Sequence, residues 1–275
     1  MISQLWINNK GYSLMGISHW PESGSIKAGA VLMAGFSQPK CDEDFIMSKL
    51  ARRLADEGIF VLQFDPRGHG DSSFMLEDVT LGTIREDIKS SIEFVKGIAG
   101  ANIFGVGRGL SATILAETAG YVGLKGVAGI SPYCLDKLIS KEIWGHMKPG
   151  VYEAAEIVDR SEYDKCAFFE ALGAKMGNLL GQRISSEMIN ELVQFEVPDI
   201  MLAYGEKGLW LFYDKDSEFE IKRWIPTDNN SHLPLAHYLN KSLPRRALWH
   251  HNVIESICNW IKQQGDIKDG NTCSD

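Results

Sequence analysis

Three glycines at alternate positions, Gly105-Val106-Gly107-Arg108-Gly109, close a short apolar run, and a helical pattern starts at once after them. A strand–turn–helix of this kind needs glycine where two backbones pass closely or where φ is positive. In the G-x-S-x-G form of such a turn, the middle residue is a serine held on a strained turn and presented to the substrate. Centred on Gly107, the turn has no side chain in that place. Two other groups near the pattern carry nucleophilic atoms. Ser111 lies four residues on, about one helical turn away, and points into helix packing on this reading. Cys134 follows a later apolar run, without the histidine signature of a cysteine nucleophile. Arg67, His69 and Asp71, in Asp65-Pro-Arg-Gly-His-Gly-Asp-Ser72, carry the functional groups of an active site.

The elements that position these residues follow from pattern. Leu5–Asn8 and Tyr12–Trp20 form a hairpin about Asn9-Lys10-Gly11. Ala28–Ala34, Ile59–Phe64, Ile103–Val106 and Gly126–Ile130 are short apolar runs, as buried strands are. Between them fall helices: about Asp44 to Glu57, with Ile46, Leu50 and Leu54 at a spacing of four; a second carrying Ile84, Ile88, Ile92 and Val95; and Leu110–Thr118. Strands separated by helices imply right-handed crossovers and a mostly parallel sheet covered on both faces. From Tyr133 to about Glu196 no strand is expected, and Glu153–Ile157, Ala167–Leu180 and Ile184–Val193 read as short amphipathic helices. That segment, 133–196, is expected to cap the carboxyl ends of the strands. Asp199–Tyr204 and Phe219–Ile225 then resume the sheet, and a helix from about Ala247 to Gln264 ends it. The division is a core of 1–132 and 197–265, a cap of 133–196, and a flexible tail of 266–275.

Composition excludes several classes of partner. A chain of 275 residues, 44% hydrophobic, can bury a sizeable core. The net charge of −8 argues against nucleic acid and anionic membrane as partners. No run of about 18 apolar residues is long enough to cross a bilayer. The opening residues lack a signal-peptide pattern, and five cysteines without C-x-x-C pairing favour reduced thiols, so a cytoplasmic location is expected. No metal site and no cofactor is expected, the partner is a small molecule, and the pattern does not set the oligomeric state.

From roughly Leu5 to Gln264 the chain resembles the α/β-hydrolase superfamily. Ala34-Gly35-Phe36-Ser37 stands where that family has its His-Gly loop after strand three. Asp65-Pro-Arg-Gly-His-Gly-Asp-Ser is close to its D-x-R-G-x-G-x-S block after strand four. Phe104-Gly-Val-Gly-Arg-Gly109 resembles its nucleophile elbow, with glycine at the centre. The resemblance implies an α/β-hydrolase fold, a mostly parallel twisted sheet flanked by helices, with a helical cap insertion. It implies a triad ordered nucleophile, acid, histidine, which falls here on Gly107, Gly208 in Tyr204-Gly-Glu-Lys-Gly208, and His232 in Asp228-Asn-Asn-Ser-His232-Leu-Pro. Asp136 is an alternative acid, since some members take it from that strand; Asp214 and Asp216 are further candidates. The N–H groups of Arg108 and Phe36 stand like an oxyanion hole. Phe36, Arg108, Trp144 and Trp210 are the expected ligand contacts.

A triad without its nucleophile loses most of its rate enhancement. The leading expectation is a pseudohydrolase that binds a small or medium carbonyl compound under the cap without hydrolysing it. The N-myc downstream-regulated family resembles this elbow with glycine at its centre. A second expectation is a non-hydrolytic enzyme, of epimerase, cyclase or lyase type, in which His232 transfers a proton. A third is a serine esterase or thioesterase carrying a serine-to-glycine change at position 107.

Overall fold

In the computed structural model, residues 1–132, 147–159, 181–195, 207–213, 221–224 and 243–267 are described. Strands β1 (Ile2–Asn9) and β2 (Tyr12–His19) form the expected hairpin, with Lys10 and Gly11 both at positive φ in the two-residue turn. Strands β3 (Ala28–Met33), β4 (Ile59–Phe64), β5 (Ile103–Arg108) and β6 (Gly126–Ile130) are buried along their whole length. That explains why they read as continuous apolar runs rather than as alternation. Their connecting helices are α1 (Ile46–Asp56), α2 (Leu81–Ala99) and α3 (Leu110–Val122). Thr80 and Thr83 cap α2 reciprocally, and Gly100 at φ 73 ends it.

The eight-stranded sheet has the order β1-β2-β4-β3-β5-β6-β9-β10, where β9 is Gly208–Tyr213 and β10 is Ile221–Trp224. Strands β4, β3, β5, β6 and β9 run parallel; β1, β2 and β10 pair antiparallel to their neighbours. One face buries Phe60, Leu62 and Phe64 with Ile84, Ile88 and Ile92 of α2 and Ile114 and Leu115 of α3. The other packs Leu32, Val61 and Phe104 against Leu50 and Leu54 of α1. The last helix, α6 (Leu243–Gln264), adds Val253, Ile257, Trp260 and Ile261 to that second face.

Three expectations need correction. The helix expected from Asp44 begins at Ile46; before it a 3-10 turn, Glu43–Phe45, holds Asp44 and Phe45 at positive φ. The segment 133–196 is not free of strand: β7 (Val151–Glu153) and β8 (Arg183–Ser185) pair antiparallel, with α4 (Ala154–Asp159) and α5 (Ser186–Gln194) following them. The segment 199–204 lies outside the described residues, and the strand that joins β6 is β9, Gly208–Tyr213. The last helix starts at Leu243 rather than about Ala247. Helix α5 docks on α2 through the Glu191 carboxylate, which accepts the Leu81 N–H at 2.5 Å, while Met188, Ile189 and Leu192 join the α2–α3 core.

Candidate functional site

The turn between β5 and α3 does not peak where the glycine pattern was centred. Gly107 is an interior strand residue, opposite Met33 of β3 and Gly129 of β6. A Cβ there would stand 2.6 Å from the N and Cα of Ala112 and 2.8 Å from the carbonyl carbon of Ser111. Gly107 is therefore glycine because α3 passes directly over it. The strained residue is Gly109, at φ 54 and ψ −128, which caps α3. Its N–H donates to the Ile130 carbonyl at 3.0 Å, and its own carbonyl accepts the Ala112 N–H at 3.2 Å. The pentapeptide that fits the strained form is thus Gly107-Arg108-Gly109-Leu110-Ser111, two residues later than Gly105–Gly109.

The same shift moves the helix N-terminal donor. Arg108 is the last residue of β5, opposite Ile130, so its N–H is a strand group. Leu110 and Ser111 open α3, where N–H groups have no intrahelical acceptor. The Arg108 side chain is engaged from below the loop that follows β3. It donates to the Asp42 carboxylate and, at 3.3 Å, to Glu43; all three side chains are nearly or fully buried. Asp42 also accepts the N–H of Gly35 at 3.0 Å and that of Glu43 at 2.6 Å. One buried carboxylate therefore ties the Ala34–Ser37 loop to the end of β5. Asp42 itself stands at φ 59, ψ −177.

Phe36, on that loop, points its ring into the core, edge-on to His69 at 5.3 Å between centroids. Burial pushes the His69 pKa down, so the ring is neutral, and its Nδ1–H donates to the Arg67 carbonyl at 3.1 Å. The rest of the Asp65–Ser72 block is a structural turn. Asp65 accepts both the backbone N–H and the ammonium of Lys40, at 2.6 and 2.7 Å. Arg67 grips the buried Asp87 of α2 through Nε and Nη2 and reaches Glu86 at 3.0 Å.

Gly208 is the expected acid position. It is the first residue of β9, opposite Val127, whereas Ile130, beside the Gly109 turn, is opposite Leu211. Three residues of strand put it roughly 10 Å toward the other edge of the sheet. β9 ends on the turn's side of the sheet, at Tyr213. Trp210, an expected ligand contact, is fully buried in the middle of β9, its ring 2.8 Å from where a Gly129 Cβ would stand. Strand β10 runs antiparallel to β9, so it leaves the sheet at the end opposite Gly109. His232, Asp136, Trp144, Cys134, Asp214 and Asp216 lie outside the described residues.

Sequence reading passed over two features of this region. Asp42 and Glu43, the partners of Arg108, gave no signal beyond being acidic. His250 of α6 is 2% exposed, with Asp44, Lys49, Arg108 and Glu43 as the charged groups acting on it. Burial pushes its pKa down to about 4. Among the described residues no group of three His, Cys, Asp or Glu could hold a metal ion, and no helix is long and apolar enough to cross a membrane.

No protein-family model matches the chain, and no curated protein matches it. Solved structures do. The alpha/beta hydrolase GrgF from Penicillium sp. sh18 is similar at a TM-score of 0.56 and 15% identity, over 76% of this chain and 79% of that one. Est1E from Butyrivibrio proteoclasticus, with ferulic acid bound, is similar at 0.55 and 16%, over 72% and 73%. DcsB, in complex with its substrate analogue, is similar at 0.55 and 12%, over 74% and 78%. At these identities the likeness establishes the architecture alone: the chain has an α/β-hydrolase fold.

Proposed function

We propose that this is a hydrolase-fold protein without the hydrolase's nucleophile, which binds a small or medium carbonyl-containing ligand beneath segment 133–196 and does not cleave it. The observation that supports this reading is the apex of the turn. In a strand–turn–helix elbow the attacking hydroxyl sits on the strained residue, and the strained residue here is Gly109. Glycine offers no atom to attack a carbonyl carbon, so no acyl-enzyme can form there. What such a turn keeps without its serine is a pair of backbone donors, the N–H of Leu110 and that of Phe36, and these favour an oxygen acceptor whether or not chemistry follows.

The test has two arms. A fluorophosphonate probe should leave the protein unlabelled, and p-nitrophenyl acetate should turn over no faster than with boiled protein. Ferulic acid, the molecule bound in Est1E, and a series of short carboxylic esters should be screened for a saturable rise in melting temperature. Stoichiometric labelling would overturn the loss of the nucleophile. The absence of any saturable shift across the series would overturn the binding half of the reading.

A further inference from the structure

We propose that the outer edge of β1 pairs with β1 of a second copy of this chain, forming a two-fold dimer with one continuous sheet; this is independent of the reading of the ligand site. Among the described residues β1 ends the eight-stranded sheet and pairs only with β2. Which of its groups face outward follows from the ladder. Met1 and Trp20 exchange both backbone bonds, at 3.2 and 2.8 Å. In an antiparallel pair such doubly bonded positions recur at every second residue. Ser3, Leu5, Ile7 and Asn9 therefore bond inward, opposite Ser18, Gly16, Leu14 and Tyr12. Ile2, Gln4, Trp6 and Asn8 each turn an N–H and a C=O to the open edge. Their side chains are also the exposed set, with Ile2 and Trp6 each 55% exposed.

Natural edge strands are blunted by charge, proline, bulges or shortness. β1 has none of these: it is eight residues, Ile-Ser-Gln-Leu-Trp-Ile-Asn-Asn, paired without a bulge along its whole length. The edge is also complementary to itself. About a two-fold axis at Leu5, Ile2 meets Asn8 and Gln4 meets Trp6, and every outward N–H and C=O of both copies finds a partner. In that register no charged residue opposes another. The two Trp6 rings become diagonal neighbours across the axis, within reach of each other. The charges flanking the strand are the Met1 ammonium, which donates to the Trp20 carbonyl at 3.2 Å, and Lys10, which is paired with Glu86 at 2.8 Å. One strand pair covers less than the roughly 800 Å² per partner of a standard stable interface. The dimer is therefore concentration-dependent rather than permanent, and two-fold closure stops it at two chains.

Sedimentation velocity on the full chain over a concentration series reads this directly. The expected result is a monomer–dimer equilibrium that Trp6→Lys weakens at least tenfold. Gln4→Pro is the sharper variant, because it removes an outward N–H and leaves every bond to β2 in place. It should abolish the dimer with the monomer's circular dichroism unchanged. If Gln4→Pro disturbs the fold, Gln4→Lys replaces it, placing two like charges beside the axis. A wild-type chain that stays monomeric at all concentrations, or one that assembles beyond a dimer, overturns the proposal. So does a dimer that survives Trp6→Lys together with the folded position-4 variant.

Discussion

Substituting Gly107 with alanine separates the two registers of the glycine turn. A methyl at that position meets the backbone of α3, with Ala112 N and Cα at 2.6 Å and Ser111 C at 2.8 Å. Relief cannot come from swinging a side chain, because the atoms met belong to the first turn of a helix buried on nearly all sides. Either α3 or β5 has to move by several tenths of an ångström, and β5 is bonded to β3 and β6 on both sides. Overpacking of this kind costs about 1–3 kcal/mol, and a rigid backbone neighbour puts it at or above the top of that range. At roughly 2–4 °C per kcal/mol for a chain of this size, the melting temperature should fall by about 6–12 °C. Gly109→Ala is the companion. Its cost is backbone strain at φ 54, about 1–3 kcal/mol. Thermal melts by circular dichroism, checked by urea titration, read both. If Gly107→Ala melts within about 2 °C of the wild type, a uniform error of that size in the expected cost is too small to explain it, and the close passage of α3 over Gly107 is refuted.

Two further outcomes follow from buried charge. Asp42→Ala takes a buried carboxylate from Arg108 and leaves the Gly35 N–H without its acceptor, so it should destabilise the fold by about 3–5 kcal/mol in urea unfolding; a loss under about 1 kcal/mol would show that the carboxylate is not what joins the loop to β5. His250 is neutral in the fold and has a pKa of about 4, below the ordinary histidine value of 6.5. Between those values the unfolded chain binds a proton that the folded chain does not, so stability is fully present above pH 6.5 and declines toward pH 4, by up to about 3 kcal/mol. His250→Gln should flatten that part of the stability–pH curve, and an unchanged slope would remove His250 as its source.

The parallel strands were legible because burial on both faces leaves an apolar run with little else in it, and glycines mark where each run stops. The far edge of the sheet was not legible for a related reason. Leu209-Trp210-Leu211-Phe212-Tyr213 is just such a run, but reading Tyr204–Gly208 as the loop after a strand left it without an element of its own. With β9 in its observed place, the orientation of β10 becomes derivable. Residues 214–220 are too few for the crossover of a dozen or more that a parallel return needs, so the two strands must be antiparallel, as they are.

The turn itself shows where residue identity stops and backbone begins. Gly105-Val-Gly-Arg-Gly and Gly107-Arg-Gly-Leu-Ser111 both place small residues at either end of a central glycine, and composition cannot choose between them. The choice is made by which peptide must reach Ile130: the Gly109 N–H does, and the chain reverses there. Asp42 carries the same lesson from the opposite side. Its φ of 59 and ψ of −177 belong to a region that glycine enters readily and other residues only at a cost of about 1–3 kcal/mol. A glycine there would relieve the strain and lose the carboxylate. The buried bonds to Arg108, to the Gly35 N–H and to the Glu43 N–H offset the strain, which gives a physical reason for aspartate at a position shaped for glycine. Those bonds hold the Phe36 loop against the end of β5 by way of a strained residue that lies on neither.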